Sequence, residues 1–125
     1  MKIGILGTSN IAFRRFLLAL LKCPDFTYVG VASRTPEKGQ PFVEQYGGKI
    51  YPSYDALLED DSLEAVYVPL PPALHYEWGR RVLESGKMLL MEKPFTTCLR
   101  DTEELLALAE EKALAVHENY MVLLK

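Results

Sequence analysis

Apolar positions along the chain fall into short continuous blocks separated by longer segments with one apolar face. Lys2–Leu6 is nearly all apolar and ends at Gly7, the pattern of a buried strand. Between Asn10 and Lys22, the residues Ile11, Phe16, Leu17, Leu20 and Leu21 recur at the spacing of one helical face, and Pro24-Asp25 stops them. Phe26–Ala32 is rich in aromatic and β-branched residues and predicts a second strand. Thr35-Pro36-Glu37 predicts a turn over 35–39, because Pro41 would disturb a helix continuing from it. The helix proper is expected from Gln40 to Tyr46, closed by Gly47-Gly48 with one of the two glycines left-handed. Lys49–Tyr51 reads as a short strand, Ser53 as the cap of a short helix to Leu58, and Asp60-Asp61 as a solvated turn.

Glu64–Val68 predicts a further strand, after which Pro69, Pro71 and Pro72 forbid ladder pairing and force an extended loop. Ala73–Glu84 predicts a helix ended by Ser85-Gly86, and Met88–Met91 a buried strand. Asp101, with Glu104 three residues on, resembles a capping box and predicts a helix start there, running to about Ala113. Ala115–Glu118 predicts a last strand. Six strands thus alternate with five helices. Such alternation implies an α/β fold, a doubly wound and mostly parallel sheet with helices on both faces.

Composition narrows the function classes. With 125 residues the chain suffices for one domain, and 49% apolar with 25% charged residues is the profile of a soluble globular protein. The net charge of −3 leaves no basic footprint for nucleic acid, and no apolar run approaches the length of a membrane span. Cys23 and Cys98 lie far apart, show no metal-ligand spacing and suit a reducing cytoplasm.

Ligands of a doubly wound sheet bind beyond the carboxyl ends of its strands. The first such loop reads Gly7-Thr8-Ser9-Asn10-Ile11-Ala12. Gly7 permits a tight turn, Ala12 permits close packing of helix on sheet, and the N–H groups at a helix start face a pyrophosphate. Ser9 stands where the Gly-x-Gly-x-x-Gly/Ala pattern has its second glycine, so the loop also fits a plain tight turn. After the second strand come Ser33 and Arg34, with Lys38 close behind and Glu37 the only nearby acid. A carboxylate there would repel a ribose 2′-phosphate; a hydroxyl and a guanidinium would bind it, favouring NADP over NAD.

The loop Pro69-Leu70-Pro71-Pro72 predicts a stiff apolar wall for a flat ring, with His75 at the start of the next helix. The helix dipole favours a neutral imidazole there, suited to bonding substrate or cofactor; a packing or capping role is the alternative. Glu92-Lys93-Pro94 follows the fifth strand directly. Hydride transfer to or from an alcohol carbon needs a proton acceptor or donor on its oxygen, and a lysine serves both. Lys93 and His75 are therefore the candidate catalytic residues, with Glu92 orienting Lys93 and Pro94 fixing the turn. A surface ion pair is the alternative for Glu92-Lys93.

Together these residues resemble the Gfo/Idh/MocA (glucose–fructose oxidoreductase / inositol dehydrogenase) family. The matching segments are GILGTSNIA, VASRTPEKGQPFVEQYG, VYVPLPPALHYEWGRRVLESGKMLLMEKPF and the terminal VHENYM. The resemblance implies a Rossmann-type NAD(P)-binding domain over 1–119, with 120–125 beginning the connection to a second α/β substrate domain that is expected to be absent from this chain. It implies an oxidoreductase of sugars, polyols or related carbonyl compounds, inactive without that domain. It makes Lys93 the residue that touches substrate and nicotinamide, Ser33 and Arg34 the adenosine-ribose contacts, Leu70, Pro71 and His75 the loop beside the nicotinamide, and Glu118 and Asn119 the edge leading onward. Pro72 departs from the family, which commonly has asparagine there. A non-enzymatic nucleotide-binding or interaction module on the same fold is the second reading. Oligomeric state stays open, although a surface that faces a missing domain would favour self-association.

Overall fold

The computed structural model describes residues 1–8, 17–91 and 96–118. Six strands form one parallel sheet: β1 (Lys2–Leu6), β2 (Thr27–Ala32), β3 (Lys49–Tyr51), β4 (Ala65–Val68), β5 (Met88–Met91) and β6 (Val116–Glu118). Their order across the sheet is β3-β2-β1-β4-β5-β6. The chain therefore winds outward from β1 to β3, returns to the far side of β1, and winds outward again. The place where the direction reverses, between β1 and β4, opens a crevice at the carboxyl ends of the strands.

The helices are α1 (Leu17–Leu20), α2 (Gln40–Tyr46), α3 (Tyr54–Leu58), α4 (His75–Glu84) and α5 (Leu99–Glu111). Strand residues alternate between two cores, as the period of two in a strand requires. On one face Ile3, Ile5, Val31, Ala65, Tyr67 and Leu90 pack with Leu17 and Leu20 of α1 and Phe42 of α2. On the other, Leu6, Val66, Val68, Leu89 and Met91 pack with α3, α4 and α5 through Leu57, Val82, Leu83 and Leu105. Both faces are covered, which is why the strands read as unbroken apolar runs. Each fully buried Leu or Ile contributes roughly 1.5–3 kcal/mol.

Several boundaries differ from expectation. The helix after β1 ends at Leu20, not Lys22: Lys22 N–H bonds Ala19 O and Cys23 N–H bonds Leu20 O, tightening the last turn. Leu21 N–H still bonds Leu17 O at 3.0 Å, but its side chain is 57% exposed. The expected turn after Thr35 is a 3-10 turn over Pro36–Gly39 leading into α2. Both Gly47 (φ 75°) and Gly48 (φ 79°) have positive φ, where the sequence pattern predicts one. Ser53 caps α3 as predicted, its hydroxyl accepting from Ala56 N–H at 3.0 Å. The expected extended loop after β4 is confined to 69–71 and bends at Leu70, because Pro72–Leu74 closes a 3-10 turn into α4. The fifth helix starts at Leu99, not at Asp101, with Cys98 at the cap position and no side-chain cap bond. It ends at Glu111, and Ala113 (φ 55°) lies in the turn beyond.

Two polar clusters hold the periphery. Asp60 accepts from Tyr51 Oη at 2.5 Å and from the main-chain N–H and hydroxyl of Ser62, with Lys49 Nζ at 3.4 Å. Its carboxyl is pushed well below the ordinary range, first by the Ser62 hydroxyl and then by the Tyr51 phenol. At the end of the sheet away from the crevice, the buried Lys87 ammonium donates to Leu58 O at 3.0 Å and ties α3 to the start of β5.

Candidate functional site

The crevice is bordered by the ends of β1, β2 and β4. Leu6 is opposite Ala32 in the sheet, so Gly7 and Ser33 leave adjacent strands side by side. Gly7 N–H bonds Ala32 O at 2.8 Å, which carries the parallel ladder one residue past β1. Thr8 Oγ1 lies 3.3 Å from Ser33 Oγ, joining the two loops through their hydroxyls. Gly7 is buried at φ +123°, a conformation that side chains other than glycine rarely adopt. Ser9, Asn10, Ile11 and Ala12 lie outside the described residues.

At the end of β2, Ser33 is buried, whereas Arg34 and Lys38 are exposed. Neither cation has an ion pair among the described residues. Ala32 pairs with Tyr51, so the segment 52–54 emerges at the same edge. There stands Tyr54, which the sequence pattern does not single out. Its ring meets Trp78 edge-on at 4.9 Å, and Arg81 stacks over the same Trp78 at 4.6 Å. Burial pushes the Tyr54 phenol up, and the Arg34 charge pulls it the other way, so the two groups share one electrostatic neighbourhood. Asp55 in the same turn is paired with Arg81 at 3.2 Å. The result is a set of hydroxyl and cationic donors at the end of β2, matched to an anion. An aromatic residue at the first helical position after a neighbouring strand was the available signal for Tyr54.

The loop after β4 borders the crevice on the other side. Leu70 and Pro69 approach Gly7 closely: a Cβ built on Gly7 would lie 2.9 Å from Leu70 Cδ2 and 3.8 Å from Pro69 Cγ. Pro71 is exposed, as the first surface of the loop. His75 is 1% exposed, and its Nε2 lies 2.6 Å from Leu70 O. The structure thus places the imidazole behind the loop, with this nitrogen engaged by the main chain.

The fifth-strand motif Glu92, Lys93 and Pro94 lies outside the described residues, as does Asn119. Thr96, just beyond the motif, is buried; its hydroxyl donates to Cys98 O at 2.6 Å and lies 2.7 Å from Thr102 Oγ1, which anchors the chain to the start of α5. The side chain of Glu118 is likewise not described.

Chemically, a glycine turn, a group of cationic and hydroxyl side chains one strand away, and a proline-stiffened apolar loop across the crevice suit a phosphorylated dinucleotide. The sequence pattern of an oxidoreductase family with an NAD-binding Rossmann fold, Gfo/Idh/MocA, matches residues 1–120. The chain is 44% identical over 122 residues to dTDP-3,4-didehydro-2,6-dideoxy-alpha-D-glucose 3-reductase of Actinomadura kijaniata, covering 98% of this chain and 37% of that protein. It is 34% identical over 122 residues to D-xylose 1-dehydrogenase (NADP(+)) 2 of Haloferax volcanii, covering 97% of this chain and 37% of that protein. A crystal structure of a 3-ketoreductase from Actinomadura kijaniata with NADP and TDP-benzene superposes with a TM-score of 0.94 at 44% identity, covering 98% of this chain and 38% of that one.

Proposed function

The chain belongs to the Gfo/Idh/MocA oxidoreductase family, and from that premise we propose that it is the NADP(H)-binding domain of an enzyme that moves hydride between the nicotinamide and a sugar, polyol or related carbonyl substrate. The chain spans about 37% of the length of the curated relatives it matches. In this reading residues 1–119 are the cofactor domain, and the other substrate wall belongs to the part of those relatives that this chain does not span. A keto group on a deoxysugar carried by a nucleoside diphosphate is the substrate class that the 44%-identical reductase favours.

The observation that carries the reading is the donor set at the end of β2. Ser33, Arg34 and Lys38 fit the 2′-phosphate of NADP and offer no carboxylate to hold a bare ribose 2′-hydroxyl. Gly7, Thr8 and the segment Ser9-Asn10-Ile11 receive the pyrophosphate on main-chain N–H groups. Leu70 and Pro71 form an apolar wall that keeps water from the nicotinamide side. The nicotinamide, when bound, supplies or accepts the hydride. Lys93, assigned from the sequence, donates the proton to the carbonyl oxygen in reduction and accepts it in oxidation, with Glu92 orienting it and Pro94 fixing the turn. Cys23 and Cys98 are both free, in keeping with a cytoplasmic protein.

Arg34→Ala tests the reading. Loss of a charge-assisted bond to phosphate weakens NADPH binding by about tenfold or more and leaves NADH nearly unchanged. Equal losses for both cofactors refute it.

A further inference from the structure

We infer that His75 is a positioning residue: its buried imidazole pins the main chain of the loop after β4, seats Leu70 on Gly7, and so shapes the pyrophosphate and nicotinamide end of the site while leaving the adenosine end alone. The inference rests on the reading of this edge as the dinucleotide site.

The loop has an unusual shortage of anchors. Of residues 69–72, three are prolines, so Leu70 holds the only main-chain N–H in the segment. A stretch without donors is held through its carbonyls. Leu70 O is such a handle, with His75 Nε2 at 2.6 Å. A carbonyl only accepts, so Nε2 carries the proton and donates. This bond spans five residues and encloses the smaller 3-10 turn, in which Leu74 N–H bonds Pro71 O at 2.9 Å. His75 is also the first residue of α4 and is 1% exposed, so the donor is fixed to a helix and shielded from competing water.

The consequence reaches Gly7. Leu70 Cδ2 would lie 2.9 Å from a Cβ on Gly7, so the Leu70 side chain occupies the space that the glycine leaves. Gly7 itself is tied to β2 through Ala32 O. The adjustable partner of that contact is therefore Leu70, and His75 sets where it stands. The adenosine end depends on other groups, Ser33 and the exposed Arg34 and Lys38 beyond the end of β2.

The test compares NADPH with 2′-AMP, which carries the adenosine and 2′-phosphate but neither pyrophosphate nor nicotinamide. His75→Leu is expected to weaken NADPH about tenfold and to leave 2′-AMP unchanged. His75→Gln, whose side-chain amide keeps a donor near the same place, is expected to restore NADPH affinity to within about threefold. Thermal melts establish that each variant is folded. Should His75→Leu fail to fold, Leu70→Ala keeps the imidazole, removes the side chain seated on Gly7, and must show the same split between the two ligands. Equal weakening of both ligands in a folded variant, unchanged NADPH affinity, or His75→Gln as weak as His75→Leu overturns the inference. Failure of the unaltered chain to bind NADPH is seen before any variant is made and overturns the underlying reading instead.

Discussion

Gly7→Ala puts a methyl group where the structure has neither conformational nor physical room. At φ +123° an L-residue is strained by roughly 1–3 kcal/mol. The new Cβ would lie 2.9 Å from Leu70 Cδ2, about 0.6 Å inside the closest favourable carbon–carbon distance. Leu70 is only half-buried and stands in a loop, so it relieves the clash by rotating away and giving up part of its packing. Alanine regains roughly 0.4–1 kcal/mol by restricting the unfolded chain. The net expectation is a destabilisation of about 1–3 kcal/mol, read as a fall of about 1 M in the urea midpoint at the slopes typical of small domains. Gly86→Ala is the matched control. Gly86 also has positive φ, +83°, but nothing lies within 4 Å of its would-be Cβ, and it stands just past the end of α4, far along the chain from the crevice. Both variants lose stability through strain, but only Gly7→Ala displaces Leu70, so only it loses NADPH affinity. Gly7→Ala that is as stable as Gly86→Ala and binds NADPH like the unaltered chain refutes the reasoning.

Further expectations concern the periphery. The Asp60 carboxyl is held below its ordinary value by Ser62 and Tyr51, so its contribution to stability is complete above the ordinary carboxylate range and is lost as the pH falls through the lowered value. Asp60→Asn therefore lowers the urea midpoint at pH 7 and flattens its decline below about pH 4; an unchanged acid limb counts against the assignment. Ser53→Ala removes the acceptor of the Ala56 N–H and costs about 0.5–2 kcal/mol, measured by the same denaturation; no change means that α3 is held by packing alone.

Much of the fold was legible because both faces of the sheet are covered. Successive residues of β4 face two cores in alternation, so Ala65, Val66, Tyr67 and Val68 are all fully buried and the strand shows as an unbroken apolar block. The same holds in β5, where Leu89, Leu90 and Met91 are fully buried. Helix ends were harder to read, because they depend on where hydrogen bonds are made. Asp101 and Glu104 imitate a cap, yet α5 begins two residues earlier, where Thr96 rather than a cap side chain anchors Cys98. Leu21 fits the apolar period of α1 but stands just past the end of the helix and is 57% exposed.

The candidate site was legible as a set of loops but not as contacts. Ser33, Arg34 and Lys38 could be named from their place after β2, whereas the approach of Thr8 to Ser33 follows from the register of β1 on β2. The seating of Leu70 on Gly7 joins residues far apart in the chain, and the placement of His75 Nε2 against Leu70 O depends on the 3-10 turn that folds the loop back onto α4. Tyr54 became visible only once β3 was set beside β2.

The central claim, that the crevice edge is built for a 2′-phosphorylated nicotinamide dinucleotide, is tested most directly by titrating the unaltered chain with NADPH and NADH and following nicotinamide fluorescence. The account predicts saturable binding of NADPH, about tenfold or more tighter than NADH, as expected for charge-assisted bonds from Arg34 and Lys38. Equal affinity for the two cofactors, or no binding of NADPH at millimolar concentration, would contradict it.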